Sequence, residues 1–291
     1  LPFGFVAVAT AVLQRPGLGG PLPMNAQRRW LEFAARSLPE PAGTIVRGVD
    51  LGGRAGLRVT VGATERPHAI VHLHGGAYTV GSPRTHRSLA AFLARASGAA
   101  VYLPDYRLAP EYPFPAALED AVDACGDVAA AHDRFAISGD SAGGGLAIAT
   151  TRRLVDDGQP SPVAMALISP WVDPTEPSLR RKRDLVVRES WGLACAAAYI
   201  GESDPRNPGI APRHGDLTGL PPALIQVGRR EVLYSQITRF IGELRVAGCD
   251  VTVTELKRLW HVGHAQAGLL IEARDAVDEL GWYLRKQLDI P

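Results

Sequence analysis

Eight short runs rich in β-branched residues punctuate this chain: TIVRGVDL, LRVTV, AIVHLH, AAVYLP, FAISG, VAMALIS, ALIQVG and DVTVTEL. From about residue 84 onward they are separated by helix-length segments such as PAALEDAVDACGDVAAAH and ITRFIGELRVAGC. Short, continuously apolar runs read as strands buried on both faces, and strand-helix alternation makes the helices the crossovers of parallel pairs. Two or three leading strands followed by repeated strand-helix units predict an α/β fold, with a mostly parallel eight-stranded sheet and helices on both faces. Ligands in such sheets bind beyond the carboxyl ends of the strands. The residues at strand exits therefore carry the search for function.

Two stretches break the alternation. Residues 1–44 are helical and punctuated by proline, and residues 174–215 make a long excursion between two strands. Both are expected to fold as a helical cap over the functional edge, leaving 45–173 and 216–291 as the two parts of the core. The basic run Arg180–Arg183 in the excursion reads as a solvated helix face rather than a ligand patch.

Composition removes several function classes. With 31 Lys and Arg against 30 Asp and Glu, no bulk charge favours nucleic acid or an anionic surface. Cys125, Cys195 and Cys249 are scattered and odd in number, which excludes a disulfide framework or a zinc knuckle. They read as thiols of a reducing compartment, so a cytoplasmic location is expected. No apolar run reaches the ~18 residues of a membrane span. The apolar start LPFGFVAVATAVL lacks a basic leader, so it reads as a trimmed terminus or a docking helix rather than a signal peptide.

The sharpest local signal is FAISGDSAGGGLAIAT. Here a strand meets a helix at Ser141, with Gly139 and Gly143 two positions to either side. Small neighbours permit a sharp, strained turn that lifts the hydroxyl off the sheet, and the helix start adds free N–H groups and a positive dipole end beside it. That arrangement suits an acyl-transfer nucleophile. The stretch has neither the spacing of a dinucleotide loop nor the Lys-Ser/Thr ending of a P-loop. Gly144 and Gly145 are expected to let the helix pack closely on the sheet and on the turn at Gly75.

A nucleophile needs an oxyanion site, a base and an acid. IVHLHGGAY leaves a strand into Gly75 and Gly76, whose amides, with that of Ala142, are the expected oxyanion donors. His72 and His74 share a strand face without carboxylates or thiols nearby, so a metal site is not expected, and His74 is read as orienting the glycine turn by a hydrogen bond. The base should follow the serine, with the acid between them. His214 lies in the excursion, whereas His261 and His264 both lie just past the last strand. Loop placement favours His261; His264 is placed to open or pack the terminal helix. Glu231 is the first carboxylate after the ALIQVG strand, and Asp250 lies at the wrong end of the sheet.

The motifs HGGAYTVGS, DYRLAPEYPFPAALEDA, GDSAGG, ISPWVD and LPPALIQVG, followed by a late histidine, stand in an order that resembles the hormone-sensitive-lipase family of α/β-hydrolase carboxylesterases. The resemblance runs from about residue 45 to the end. It implies the α/β-hydrolase fold, a Ser141-Glu231-His261 triad, oxyanion donors at Gly75, Gly76 and Ala142, and hydrolysis of small, often short-acyl esters without metal or organic cofactor. Asp105, Arg107 and the prolines of DYRLAPEYP are expected to brace the loop beneath the site, and Asp140 to fix the elbow.

Three departures from the family pattern matter. Ala77 replaces a glycine and is acceptable if that position needs no positive φ. Arg229 and Arg230 flank Glu231 and compete with His261 for its carboxylate, and Ser235 stands where a second Asp is common. The histidine loop reads RLWHVGHAQ, without the usual preceding proline. Tyr78, Trp191 and Tyr199 are candidates to line acyl or alcohol pockets. An amidase or deformylase with the same triad, or a non-catalytic small-ligand binder, stays open on the residues alone. The final strand DVTVTEL, at an exposed edge, is a candidate homodimer seam.

Overall fold

The eight β-branched runs all form strands, and their side chains divide between two cores by simple alternation. The computed structural model describes residues 1–19, 22–63, 66–177 and 183–290. The strands are β1 (Thr44–Leu51), β2 (Arg54–Val61), β3 (His68–Leu73), β4 (Ala100–Pro104), β5 (Arg134–Asp140), β6 (Met165–Ile168), β7 (Ala223–Gly228) and β8 (Val251–Leu256). They form one sheet in the order β1-β2-β4-β3-β5-β6-β7-β8. The β1–β2 and β2–β4 pairs are antiparallel, and every later pair is parallel. β8 ends the sheet at one edge.

On β3, Ala69, Val71 and Leu73 enter one apolar cluster and Ile70 the other; on β6, Met165 and Leu167 alternate with Ala166 and Ile168 in the same way. The first cluster is completed by α4 (Ala116–Ala131), α5 (Ala142–Asp156) and α7 (Tyr234–Val246), the second by α3 (Arg87–Ser97) and α8 (Ile271–Gln287). Covering both faces is what makes these strands continuously apolar rather than alternating polar and apolar.

Three further helices stand outside this sandwich: α1 (Phe3–Gln14), α2 (Met24–Ala35) and α6 (Glu189–Ile200). α1 buries Val6 against Val186, Leu259 and Trp260, and Phe3 meets the Trp260 ring edge-on. α2 is tied down by Arg28, which donates to the carbonyls of Thr79 and Ala109 and pairs with Glu111. α6 joins them through Trp191 Nε1, which donates to Gln27 Oε1 at 3.1 Å. The basic run lies outside the described residues except at Arg183. Among the described residues, no helix is long and apolar enough to cross a membrane. The three cysteines are free and buried.

Register brings the functional exits into line. Leu73 pairs with Gly139, Asp140 with Ile168, Ile168 with Gln226, and Gly228 with Leu256. The segments beginning at His74, Ser141, Ser169, Arg229 and Lys257 therefore leave the sheet side by side at its carboxyl edge.

Candidate active site

Ser141 sits at the apex of the β5–α5 turn with φ 52°, a left-handed conformation that a non-glycine residue adopts only when its surroundings hold it there. Ile168 supplies the carbonyl for its N–H at 2.9 Å, and its own carbonyl receives the Trp171 N–H at 2.7 Å, so the elbow is stitched to the β6 exit. Both flanking glycines are required by contact. A Cβ at Gly139 would overlap the Gly143 carbonyl, and one at Gly143 would overlap the carbonyls of Leu73 and His74. The close approach to the neighbouring glycine turn thus belongs to Gly143, whereas Gly144 and Gly145 face Pro170 and Trp171.

The three residues expected as a triad meet in one hydrogen-bonded line. His261 Nε2 lies 2.9 Å from Ser141 Oγ, and its Nδ1 lies 3.1 Å from Glu231 Oε2. A carboxylate only accepts, so Nδ1 carries the proton and Nε2 offers its lone pair to the serine hydroxyl. Burial opposes a charge on His261, and the hydrogen bond and field of Glu231 outweigh it, so the imidazole pKa lies above its ordinary value. His264 is excluded from this line. Its Nε2 lies 2.7 Å from Gln226 Oε1, and burial drives its pKa down to about 3.

Glu231 is held independently of the arginines beside it. Its Oε1 accepts from Gly228 N at 2.7 Å and from Ser169 Oγ at 2.8 Å, which leaves Oε2 for His261. Arg229 does not compete, because its guanidinium is taken by Glu255 at 2.6 Å, and Arg230 is exposed. Ser169 was not singled out in the sequence; SPW after an apolar run carries no signal that its hydroxyl reaches a carboxylate on the next strand.

The glycine turn corrects two expectations. Gly75 N–H donates to Asp140 Oδ1 at 2.9 Å, so this amide is spent inside the protein rather than free for an oxyanion. Gly76 and Ala77 line the cavity beside Ser141, and Ala77 has φ 51°. The position therefore does demand a left-handed backbone, and alanine bears it at a cost of roughly 1–2 kcal/mol. His74 holds the turn from below: its Nδ1 is 2.9 Å from the Gly75 carbonyl and therefore donates to it. Ala142 opens α5 directly after the serine.

Of the three aromatic candidates, Trp191 lines the cavity. Tyr78 and Tyr199 do not: they are fully buried and stack face to face with centroids 3.7 Å apart, because the loop at Tyr78 turns the ring into the core. In the loop beneath, Arg107 is the brace, binding Asp120 through its N–H and guanidinium at 2.8–3.0 Å; the Asp105 side chain is exposed.

The triad opens onto a cavity of about 240 Å³ walled by α1, α2 and α6, with Leu13, Leu31, Trp191 and Leu193 among its apolar sides. One strained hydroxyl, one oriented imidazole and one cavity with apolar walls are what ester hydrolysis needs.

Known proteins agree with that chemistry. A family model described as alpha/beta hydrolase fold matches residues 70–265. The chain is 41% identical over 230 residues, 77% of each protein, to an acetyl-hydrolase of Streptomyces hygroscopicus. An esterase of Acinetobacter venetianus is 32% identical over 268 residues, 88% of this chain and 87% of its own. An esterase of the bacterial hormone-sensitive lipase family superposes with a TM-score of 0.91 at 33% identity, over 97% of this chain and 98% of the other. The chain thus belongs to the alpha/beta hydrolase fold family, among the esterases of the hormone-sensitive lipase group, and is a carboxylic ester hydrolase.

Proposed function

We propose that the chain hydrolyses small, short-acyl carboxylic esters through an acyl-enzyme on Ser141. The observation that carries this is the unbroken line from Ser141 Oγ through His261 to Glu231, at 2.9 and 3.1 Å, facing an apolar cavity. His261 Nε2 takes the hydroxyl proton as Oγ attacks the ester carbonyl, and Glu231 stabilises the imidazolium that forms. The oxyanion develops against the amides of Gly76, Ala77 and Ala142. As the tetrahedral centre collapses, the C–O bond to the alcohol breaks and His261 returns the proton to the leaving oxygen. Water, deprotonated by the same nitrogen, then releases the acid and restores Ser141. An acetyl-hydrolase among the relatives supports a short acyl group, with the larger alcohol part against α1, α2 and Trp191.

The test is hydrolysis of p-nitrophenyl esters from acetate to octanoate by wild type and Ser141→Ala. The expected result is highest kcat/KM at two to four acyl carbons, with turnover falling by on the order of 10⁶ in the variant. Full activity without the serine hydroxyl would refute the acyl-enzyme, and a maximum at eight carbons would refute the short-acyl assignment.

A further inference from the structure

A second set of ionisable groups, buried except for the partly exposed His86, lies beside the triad, and the acyl-transfer steps do not use it. Asp140 is 2% exposed and directly precedes Ser141. Besides the Gly75 amide, its carboxylate faces His86 Nε2 at 3.2 and 3.3 Å, one oxygen each. His72 Nε2 is 3.3 Å from Oδ1, within ion-pair range but off hydrogen-bond alignment. A buried carboxylate needs a countercharge, and three histidines surround this one.

Hydrogen-bond bookkeeping identifies which histidine carries it. The single proton of the Thr85 hydroxyl goes to the Ser82 carbonyl at 2.7 Å, and the Ser82 N–H points at the same oxygen at 2.9 Å. Toward His86 Nδ1, 2.8 Å away, that oxygen can only accept. Nδ1 therefore bears a proton, and Nε2, facing a carboxylate, bears another. This pattern makes His86 the ring placed to carry the charge. Burial lowers the pKa of His72 and brings that of His74 to about 3, so neither of those rings favours it. For His86, burial opposes the charge but Asp140 overcomes it, and the net shift is upward.

We infer that His86, protonated at both ring nitrogens, is a positioning residue for the oxyanion turn, acting through the Asp140 carboxylate that ties the Gly75 amide to the nucleophile elbow. The line extends outward. Ser82 Oγ donates to Glu32 Oε1 on α2 at 2.9 Å, with Arg84 at the rim beside Glu32. Inward, His74 stacks on Tyr106 at 4.2 Å and grips the Gly75 carbonyl. The groups facing His86 are thus Asp140 from β5, His72 from β3 and His74 just past it, Thr85 from its own loop and, through Ser82, Glu32 from α2. Losing either ring proton breaks one of the two bonds and leaves Asp140 without its cation, which frees the turn carrying Gly76 and Ala77. The active form has His261 neutral and His86 charged.

This inference rests on the acyl-transfer reading for its kinetic consequence but not for its protonation state, so the two are tested separately. In the wild-type enzyme, long-range ¹H–¹⁵N spectra at pH 7 are expected to show the His86 ring with both nitrogens protonated, a signal that His86→Gln removes. A neutral pattern at His86 overturns the inference whatever the kinetics. With p-nitrophenyl acetate, His86→Gln keeps a donor toward Asp140 but no charge. Its kcat is expected to fall about tenfold to a hundredfold, less than the 10²–10³ for deleting an oxyanion donor, with KM within about twofold. The alkaline limb of its kcat–pH profile should vanish while the acid limb of His261 stays. Thr85→Val, which removes the acceptor for Nδ1, should move the alkaline limb to lower pH and carries the test if His86→Gln does not fold. An unchanged alkaline limb in the folded variant overturns the inference.

Discussion

Replacing Glu231 by Gln and by Ala separates two jobs that one carboxylate performs. Its Oε1 is fixed by donors, and the Gly228 N–H at 2.7 Å can do nothing but donate. In Glu231→Gln the amide oxygen must stay at that position, which places the NH₂ at Oε2, against His261 Nδ1. An NH₂ cannot accept, so the ring turns to the tautomer protonated at Nε2, the nitrogen that must receive the Ser141 proton. The expected loss in kcat is on the order of 10⁴, or about 5.5 kcal/mol of transition-state stabilisation. Both buried donors keep their acceptor, so unfolding free energy should change by less than about 1 kcal/mol. Glu231→Ala also loses the acid and should fall by a similar factor, but it strands the Gly228 amide and the Ser169 hydroxyl. At roughly 1–3 kcal/mol per orphaned buried group, it should lose about 2–6 kcal/mol of stability. The assay is p-nitrophenyl butyrate turnover together with urea unfolding of each variant. Retention of kcat within tenfold in Glu231→Gln would refute the tautomer argument, and equal destabilisation of the two variants would refute the hydrogen-bond assignment.

Stability should fall as the solution is acidified. His74 and His264 have folded pKa values of about 3, below their unfolded value near 6.5, so the unfolded chain binds protons first and each buried ring resists charging. The raised pKa of His261 acts with the opposite sign: its stabilisation is complete below the unfolded value and fades as pH rises through the folded one. Between pH 7 and 5 the two lowered rings together should cost roughly 4 kcal/mol, read from urea midpoints, and a flat profile would contradict their burial as neutral rings. Tyr199→Phe removes a buried hydroxyl that has no hydrogen-bond partner among the described residues, so it should gain about 1 kcal/mol. Its acyl-length profile should match wild type, because the ring stands in the core stack with Tyr78; an altered profile would return Tyr199 to the cavity wall. Ala77→Gly should relieve the left-handed strain by roughly 1–2 kcal/mol and lose about 0.4–1 kcal/mol to unfolded-chain entropy. A net gain of roughly 0.5–1 kcal/mol in unfolding free energy is expected, and a loss would mean that position 77 is not strained.

The sheet was legible because its information is local and periodic. The inner strands β3 to β7 are short, almost wholly buried and largely apolar runs, and GDSAGG marks a strand-to-helix turn by the absence of side chains. His261 and Glu231 were legible for a weaker reason, as the first suitable residues past particular strand exits. What escaped depends on distances across the sheet. The sequence places Gly75 in the turn but does not say that Asp140, on the strand beside it, takes its amide; that follows from the Leu73–Gly139 register. The competition expected from Arg229 was reasonable in one dimension and fails in three, because Glu255 on the neighbouring strand captures the guanidinium. Tyr78 and Tyr199 are both in segments near the cavity, yet facing rings at 3.7 Å bury each other more completely than a pocket wall would. Each of these misses is a pairwise contact between residues far apart in sequence. Register and side-chain packing decide such contacts, and composition and spacing do not encode either one.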